Sequence, residues 1–252
     1  MDITGRTVFI PGATSGIGLA LALRLQAAGS TVVVGGRRTD LLDAVTAEHG
    51  LAAVQVDTAD PLSIRAAADR VLAEHPDLDV LVTMAGIMKA EDWTTADGFL
   101  ATAEEIVTTN VLGPVRLVAA FVDHLRSRPR ATVMTVSSGL ASVPLALTPT
   151  YNASKAFVHM LSESVRLQLA GTGVEVVELV PPAVRTALMP GHEDSDSAMP
   201  LEEYVDEVMH ILRTQPDVTE VLVERVKLLR HAEVRGDYDQ VVGMLNGVAV
   251  RG

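Results

Sequence analysis

The sequence predicts a single α/β domain built on a seven-stranded, mostly parallel sheet with helices on both faces. Three observations lead there. Short β-branched runs alternate with longer Ala/Leu/Arg-rich runs of helical period along the chain. Repeated βα units place their strands parallel, joined by right-handed crossovers. The 252 residues are 48% hydrophobic but only 3% aromatic, so the core is made of Ala, Val and Leu, which suits strands covered on both faces.

In chain order, a strand over 6–11 runs into the glycine turn PGATSGIG and then a helix over 16–28. A strand over 31–35 precedes a helix over 39–48, and a strand over 52–56 precedes a helix over 61–74. Asp60 before Pro61 has the form of a helix cap and first turn. The fourth strand, 80–83, is followed by a long helix over 102–127. The fifth, 132–136, leads to a helix over 152–170, and the sixth, 174–180, to one over 201–213. A last strand over 220–223 precedes HAEVRGDYDQVVGMLNG, an amphipathic element anchored by Tyr238, Val241 and Leu245. After the sixth strand comes VRTALMPGHEDSDSAMP, irregular and rich in acids and prolines. Ligands of open α/β sheets bind outside the carboxyl ends of the strands, so 184–213 is expected to serve as a lid segment there. No Gly/Pro/Ser-rich linker and no internal repeat divides the chain.

The formal charge of -12 argues against a nucleic-acid or anionic-membrane surface, since phosphate-rich partners need basic patches. No cysteine occurs, which removes disulfide and thiolate chemistry, and no metal site is expected. The opening MDITGRTVFIPG lacks the basic region and long apolar run of a signal peptide. No apolar run approaches the roughly 20 residues of a membrane span. The expected compartment is the cytoplasm.

Two stretches carry chemistry. In the first, Gly12, Gly16 and Gly18 stand between a strand and a helix, where they let the backbone turn tightly and approach a pyrophosphate. Its charge would rest on N–H groups and the positive helix end, making Gly12, Thr14, Ser15, Gly16, Ile17 and Gly18 the candidate contacts. In the second, YNASK, Tyr151 and Lys155 are four residues apart and share one helix face. Reducing a carbonyl requires a proton donor at its oxygen and a group that fixes that oxygen. A free tyrosine titrates near pH 10, so work near neutrality needs a shift of roughly 2–3 units, which a neighbouring cation supplies by favouring the phenolate. Ser138, thirteen residues before Tyr151 at the end of the fifth strand, would bring its hydroxyl beside the phenol.

With G-x-x-x-G-x-G behind the first strand, then Ser138 and Tyr151-x-x-x-Lys155 in order, the chain resembles the short-chain dehydrogenase/reductase family over nearly its whole length. The resemblance implies a single-domain Rossmann fold and a hydride-transfer oxidoreductase acting on an alcohol or carbonyl. It implies Asn110, in TTNVLGP, as a fourth catalytic position, associated with a water that links Lys155 to a proton path. Asp57 takes the place used against the adenine amino group, with Thr58 beside it. Ala85, Gly86, Pro181, Val184 and Thr186 hold the cofactor, the last two its carboxamide, and Lys155 its ribose. At the end of the second strand Gly36 stands where an NAD-preferring enzyme has a carboxylate, and Arg37 and Arg38 follow; guanidinium forks match a 2′-phosphate, so NADP(H) is the expected cofactor.

The chain departs from the family in four places. Pro11 replaces a threonine, and Thr83 and Met84 replace the two asparagines before Ala85–Gly86. Pro182 replaces the glycine after Pro181, and Pro181–Pro182 with Ser-Ser-Gly-Leu before the tyrosine resembles a bacterial branch of mostly unassigned substrate. Met88, Trp93, Leu140, Val143, Leu145, Leu147, Pro182 and Leu188 are the expected substrate contacts, which favours a neutral, moderately hydrophobic carbonyl. The long helices carry apolar residues beyond one face, as in the homodimers and homotetramers of this family. Two rival readings are an NADP-binding regulator with a relic active site, and a sugar-nucleotide epimerase or dehydratase. The chain length and the Asn110 position weigh against the latter.

Overall fold

The computed structural model describes residues 4–247. Its sheet comprises β1 (Thr7–Pro11), β2 (Thr31–Gly36), β3 (Ala52–Gln55), β4 (Val80–Thr83), β5 (Ala131–Val136), β6 (Val174–Leu179) and β7 (Glu220–Val221). The strands lie in the order β3-β2-β1-β4-β5-β6-β7, and every pairing is parallel. The chain builds outward from β1 to β3, then crosses back to lay β4 against β1. The crevice outside the carboxyl ends of β1 and β4 is therefore the switch point where such sheets bind ligands.

Helices cover both faces. On one face α1 (Gly16–Ala27), α2 (Thr39–His49) and α7 (Leu201–Thr214) meet Val8, Ile10, Val32, Val34 and Val80. On the other, α3 (Pro61–Glu74) and α5 (Gly113–Ser127) meet Phe9, Val33, Leu81 and Val133, with the Phe9 and Phe121 rings 5.5 Å apart. Alternate residues of each strand thus feed two cores, and Ala and Val suffice because helices approach closely on both sides. Asp60 caps α3 by accepting from the Leu62 N–H at 2.9 Å, with Pro61 as its first residue.

The expected long helix over 102–127 is three pieces: α4 (Leu100–Ile106), a π-helical turn (Val107–Leu112) and α5. Pro114 has no N–H to offer the carbonyl four residues back, which is that of Asn110, and the helix widens there. The whole helical run Ala96–Ser127 is 32 residues long and apolar enough, with a mean hydropathy of 1.4 in its best window, to satisfy the length and composition of a membrane span. Here it buries one stripe, Ile106, Leu117, Phe121 and Leu125, with 33% of that window buried.

The segment expected as a lid, 184–213, divides into an irregular loop and a helix. Residues 201–213 belong to α7, which buries Tyr204, Val205, Val208, Met209 and Leu212 in the core and ties to α1 through Arg24, paired with Glu202 and with Asp206 at 2.8 Å. Only 184–200 remains irregular, and even this loop is pinned at its ends by the Val184–Met199 bridge. The last strand ends at Val221, and Val223 starts a turn that leads into α8 (Lys227–Arg230), α9 (Ala232–Arg235) and α10 (Tyr238–Asn246).

Candidate active site

The glycine turn between β1 and α1 forms a backbone cradle. Gly12 has φ +93°, and a Cβ there would lie 2.6 Å from the backbone of Ala85 at the end of β4. Gly16 has φ +57°, and a Cβ at Gly18 would lie 2.5 Å from the Gly12 carbonyl oxygen. Only glycine fits these positions, which brings the backbone of the turn within reach of a ligand. The first turn of α1 carries no acidic residue and no side-chain cap, although Ser15 stands in the capping place. Its N–H groups and Thr14 therefore face the crevice mouth with positive potential. Pro11, at the end of β1, lies opposite Gly35 and leaves the next two N–H groups, of Gly12 and Ala13, to bond the Gly35 carbonyl. Met84 takes the expected amide's place by packing against Gly18, whose Cβ would lie 3.0 Å from its Cγ. Thr83 Oγ1 is buried without a hydrogen-bond partner in the structure, so the asparagine-to-threonine change loses a brace.

Gly36 ends β2 against Thr14, and Arg37 and Arg38 follow, both exposed. Among the described residues neither guanidinium has a hydrogen-bond or ion-pair partner, while several other arginines are paired. Asp57 turns back on its own loop, its carboxylate accepting from the Ala59 N–H at 2.9 Å. Thr58 is buried against Gly113 at the start of α5. Across the crevice, Thr186 approaches the position where Gly16 lacks a Cβ, at 3.4 Å, so the loop after β6 leans on the glycine turn. Pro181 accepts from the Gly139 N–H at 2.9 Å, tying the end of β6 to the loop that follows β5, and Pro182 is half-buried beside it. Val184 is buried in the bridge to Met199. These pieces, a cradle, a free helix end and two unpaired guanidiniums, fit a phosphorylated dinucleotide.

The four catalytic candidates converge. Tyr151 and Lys155 lie on the buried face of α6 (Pro149–Leu169), 5% and 6% exposed. Proline at the start of α6 and the Glu91 carboxylate, which accepts from the Thr150 N–H at 2.7 Å, fix the first turn just ahead of Tyr151. Ser138 begins a short turn after β5, its hydroxyl accepting from the Leu140 N–H at 3.1 Å and close enough to the Tyr151 phenol to lower its pKa. Lys155 places Nζ 5.5 Å from the Tyr151 ring centroid and donates to the Val136 carbonyl at 2.9 Å. Asn110, 1% exposed, grips the backbone of Ile87: its Oδ1 accepts from the N–H at 2.9 Å, and its Nδ2 donates to the carbonyl at 2.8 Å and to Ser154 Oγ at 3.2 Å. A Cβ on Gly86 would sit 3.4 Å from Asn110 Oδ1 and 3.6 Å from Lys155 Nζ, so Gly86 joins the two.

One expectation fails for the protein alone. Burial pushes the Tyr151 phenol up to about 12, and the hydrogen bond with Ser138 opposes this only in part. Burial likewise lowers Lys155 to about 8, with the Glu178 carboxylate pulling the other way. Lys155 lies over the ring rather than at the phenol oxygen, so desolvation outweighs its help to the phenolate.

Of the substrate candidates, Met88, Leu140 and Leu145 gather around Tyr151, together with Ile87, Ile106 and Met189, which sequence reasoning did not single out. Leu147 and Leu188 are half exposed at the rim, and Trp93, 56% exposed, stacks on Phe99 at 4.1 Å. Val143 is set apart: it is fully buried against Ala232 and Val241, under the C-terminal helices. His192 takes part in a loop turn with Met189.

A family model described as short chain dehydrogenase matches residues 6–196. The chain is similar to the uncharacterized oxidoreductase DltE of Bacillus subtilis (strain 168), with 38% identity over 98% of each chain. Among solved structures it is similar to a short-chain dehydrogenase of Sphingobium yanoikuyae in complex with NADPH, with 27% identity, a TM-score of 0.76 and coverage of 94% of this chain and 95% of that one. A short chain dehydrogenase of Burkholderia cenocepacia J2315 in complex with NADP shares the fold at a TM-score of 0.81 and 23% identity, covering 96% and 99%.

Proposed function

From the premise that this chain belongs to the short-chain dehydrogenase family, we propose that it is an NADPH-dependent oxidoreductase that interconverts a ketone or aldehyde and an alcohol. The observation that carries this reading is the meeting of Ser138, Tyr151, Lys155 and Asn110 at the carboxyl edge of the sheet, beside the glycine cradle. In this role the bound cofactor supplies the hydride. Ser138 donates to the substrate oxygen and fixes it. Tyr151 gives that oxygen its proton, which a phenol titrating near 12 carries throughout the neutral range. Lys155 stabilises the phenolate left behind, and Asn110 holds Ile87 and so the floor under Lys155. Alcohol oxidation is the same path reversed.

Support for the phosphorylated cofactor comes from the unpaired Arg37 and Arg38, and from the NADP and NADPH complexes of the two structural neighbours. The apolar group Met88, Ile106, Leu140, Leu145 and Met189 favours a neutral, moderately hydrophobic carbonyl. Exposed Leu100, Val107, Leu112 and Val115, and Phe157, Met160 and Leu167 on α6, support a homodimer or homotetramer joined through these helices. A cytoplasmic setting completes the reading. The test is turnover of NADPH against a broad panel of ketones and aldehydes, with Tyr151→Phe as control. Consumption by the wild type, lost in the variant, is expected. Tight NADPH binding without turnover of any carbonyl would favour the cofactor-binding regulator instead.

A further inference from the structure

β6 reads VEVVEL, and within it Glu178 is fully buried, a formal charge in the middle of a hydrophobic sheet. Its carboxylate accepts a short hydrogen bond from Ser137 Oγ and lies 2.9 and 3.1 Å from His159 Nδ1. Arg230, the nearest guanidinium, is already committed to Glu220 through contacts of 2.8 and 2.9 Å. Its remaining reach is to His159 Nε2 at 3.4 Å, and the hydrogen bond with Glu178 raises the His159 imidazole above its ordinary value. Glu163 lies 4.0 Å from His159 Nε2, and Arg166 bonds the carbonyls of Val176 and Thr219. Glu178 therefore pairs with an imidazole that is charged only when protonated, and makes no lysine or arginine ion pair among the described residues.

Lys155 is the complementary case. Its ammonium is buried, bonds only the Val136 carbonyl, and makes no ion pair among the described residues. Lys155 and His159 stand one turn apart on the same face of α6, and both point at the ends of β5 and β6. Two consecutive residues at the end of β5 hold one charge each: Val136 the ammonium, Ser137 the carboxylate. A buried charge without an opposite neighbour costs several kcal/mol, so two such charges in one layer compensate each other.

We propose that Glu178, held in place by Ser137 and His159, is the counter-charge that keeps Lys155 an ammonium, making it a positioning residue of the reaction. This rests on the oxidoreductase reading for its catalytic part. Burial is the larger influence on Lys155 and lowers it to about 8, while Glu178 acts against that loss. Removing the negative charge should therefore make Lys155 give up its proton at lower pH, and with it the stabilisation of the Tyr151 phenolate.

The chain has three lysines, Lys89, Lys155 and Lys227, so side-chain carbon-13 labelling of lysine gives a direct titration of each by NMR. In Glu178→Gln, which keeps the shape without the charge, the Lys155 midpoint should fall by about half a pH unit or more. In Glu178→Asp, which keeps the charge, it should stay near the wild-type value, with Lys89 and Lys227 unmoved in both. The alkaline limb of NADPH-dependent ketone reduction should fall in step with the midpoint. If Glu178→Gln does not fold, Glu178→Met with His159→Leu removes both partners at once and should give the same fall. An unchanged Lys155 midpoint in a folded chargeless variant overturns the proposal, as does a shifted midpoint with an unmoved alkaline limb. If the wild type reduces no carbonyl, the oxidoreductase reading fails, and the lysine midpoints still decide whether Glu178 holds the ammonium.

Discussion

Lys155 sits over the Tyr151 ring, its ammonium 5.5 Å from the centroid, while both side chains are shut away from water. The two groups respond to burial in opposite senses: the phenol is raised to about 12 and the ammonium lowered to about 8. Both shifts favour the uncharged form, yet at neutral pH the phenol and the ammonium each still hold their proton.

The proton donor can be removed with little disturbance to the fold. Tyr151→Phe should lower turnover by at least about 100-fold and leave NADPH affinity within a few-fold, measured by initial rates and by quenching of Trp93 fluorescence. Unchanged turnover would assign the proton to another group.

The lowered Lys155 value has a consequence for folding. A depressed cation contributes stability above its unfolded value near 10.5 and loses it as pH falls through about 8. Wild type should thus gain stability relative to Lys155→Met between pH 8 and 10.5, by about 3 kcal/mol in all. Urea unfolding at a series of pH values measures the difference. Tyr151 has the opposite sign: raised to about 12, it contributes fully below pH 10 and loses its contribution as pH rises through 12.

Cofactor choice rests on the arginines after β2. Arg37→Ala should weaken NADPH binding about tenfold or more and leave NADH within about twofold. Equal losses for the two cofactors in a binding titration would remove the phosphate role.

The cradle is equally open to test. Gly12→Ala meets both a positive φ and the Ala85 backbone at 2.6 Å. The variant should lose about 2–4 kcal/mol of stability by chemical denaturation and bind neither dinucleotide measurably.

Strands and most helices were legible in the sequence to within a few residues, because strands buried on both faces leave unbroken runs such as VVVGG and TVMTV. The spacing of Tyr151 and Lys155 and the strand-end place of Ser138 pointed to one edge of the sheet, whereas Asn110 came from the family resemblance alone. What escaped depends on contacts far apart in sequence. Val143 was claimed by helices nearly 100 residues later. Glu178 went unnoticed because a lone glutamate in a strand reads as an exposed position; the signal was that Val176 and Val180, on its own face, are also apolar, which leaves no wet face. The π-turn was hidden for a simpler reason: one widened turn leaves the apolar spacing of a 26-residue stretch nearly intact.

That widened turn behaves as a spacer of one residue. Each residue of a helix advances the direction of its side chains by about 100°. Deleting one residue within Val107–Leu112 would restore a regular rod and keep its outline against the sheet. It would turn Asn110 off the Ile87 backbone yet leave the faces of α4 and α5 as they are, because the widened turn absorbs the extra residue. The helix could do without the extra residue, whereas the placement of a single amide could not.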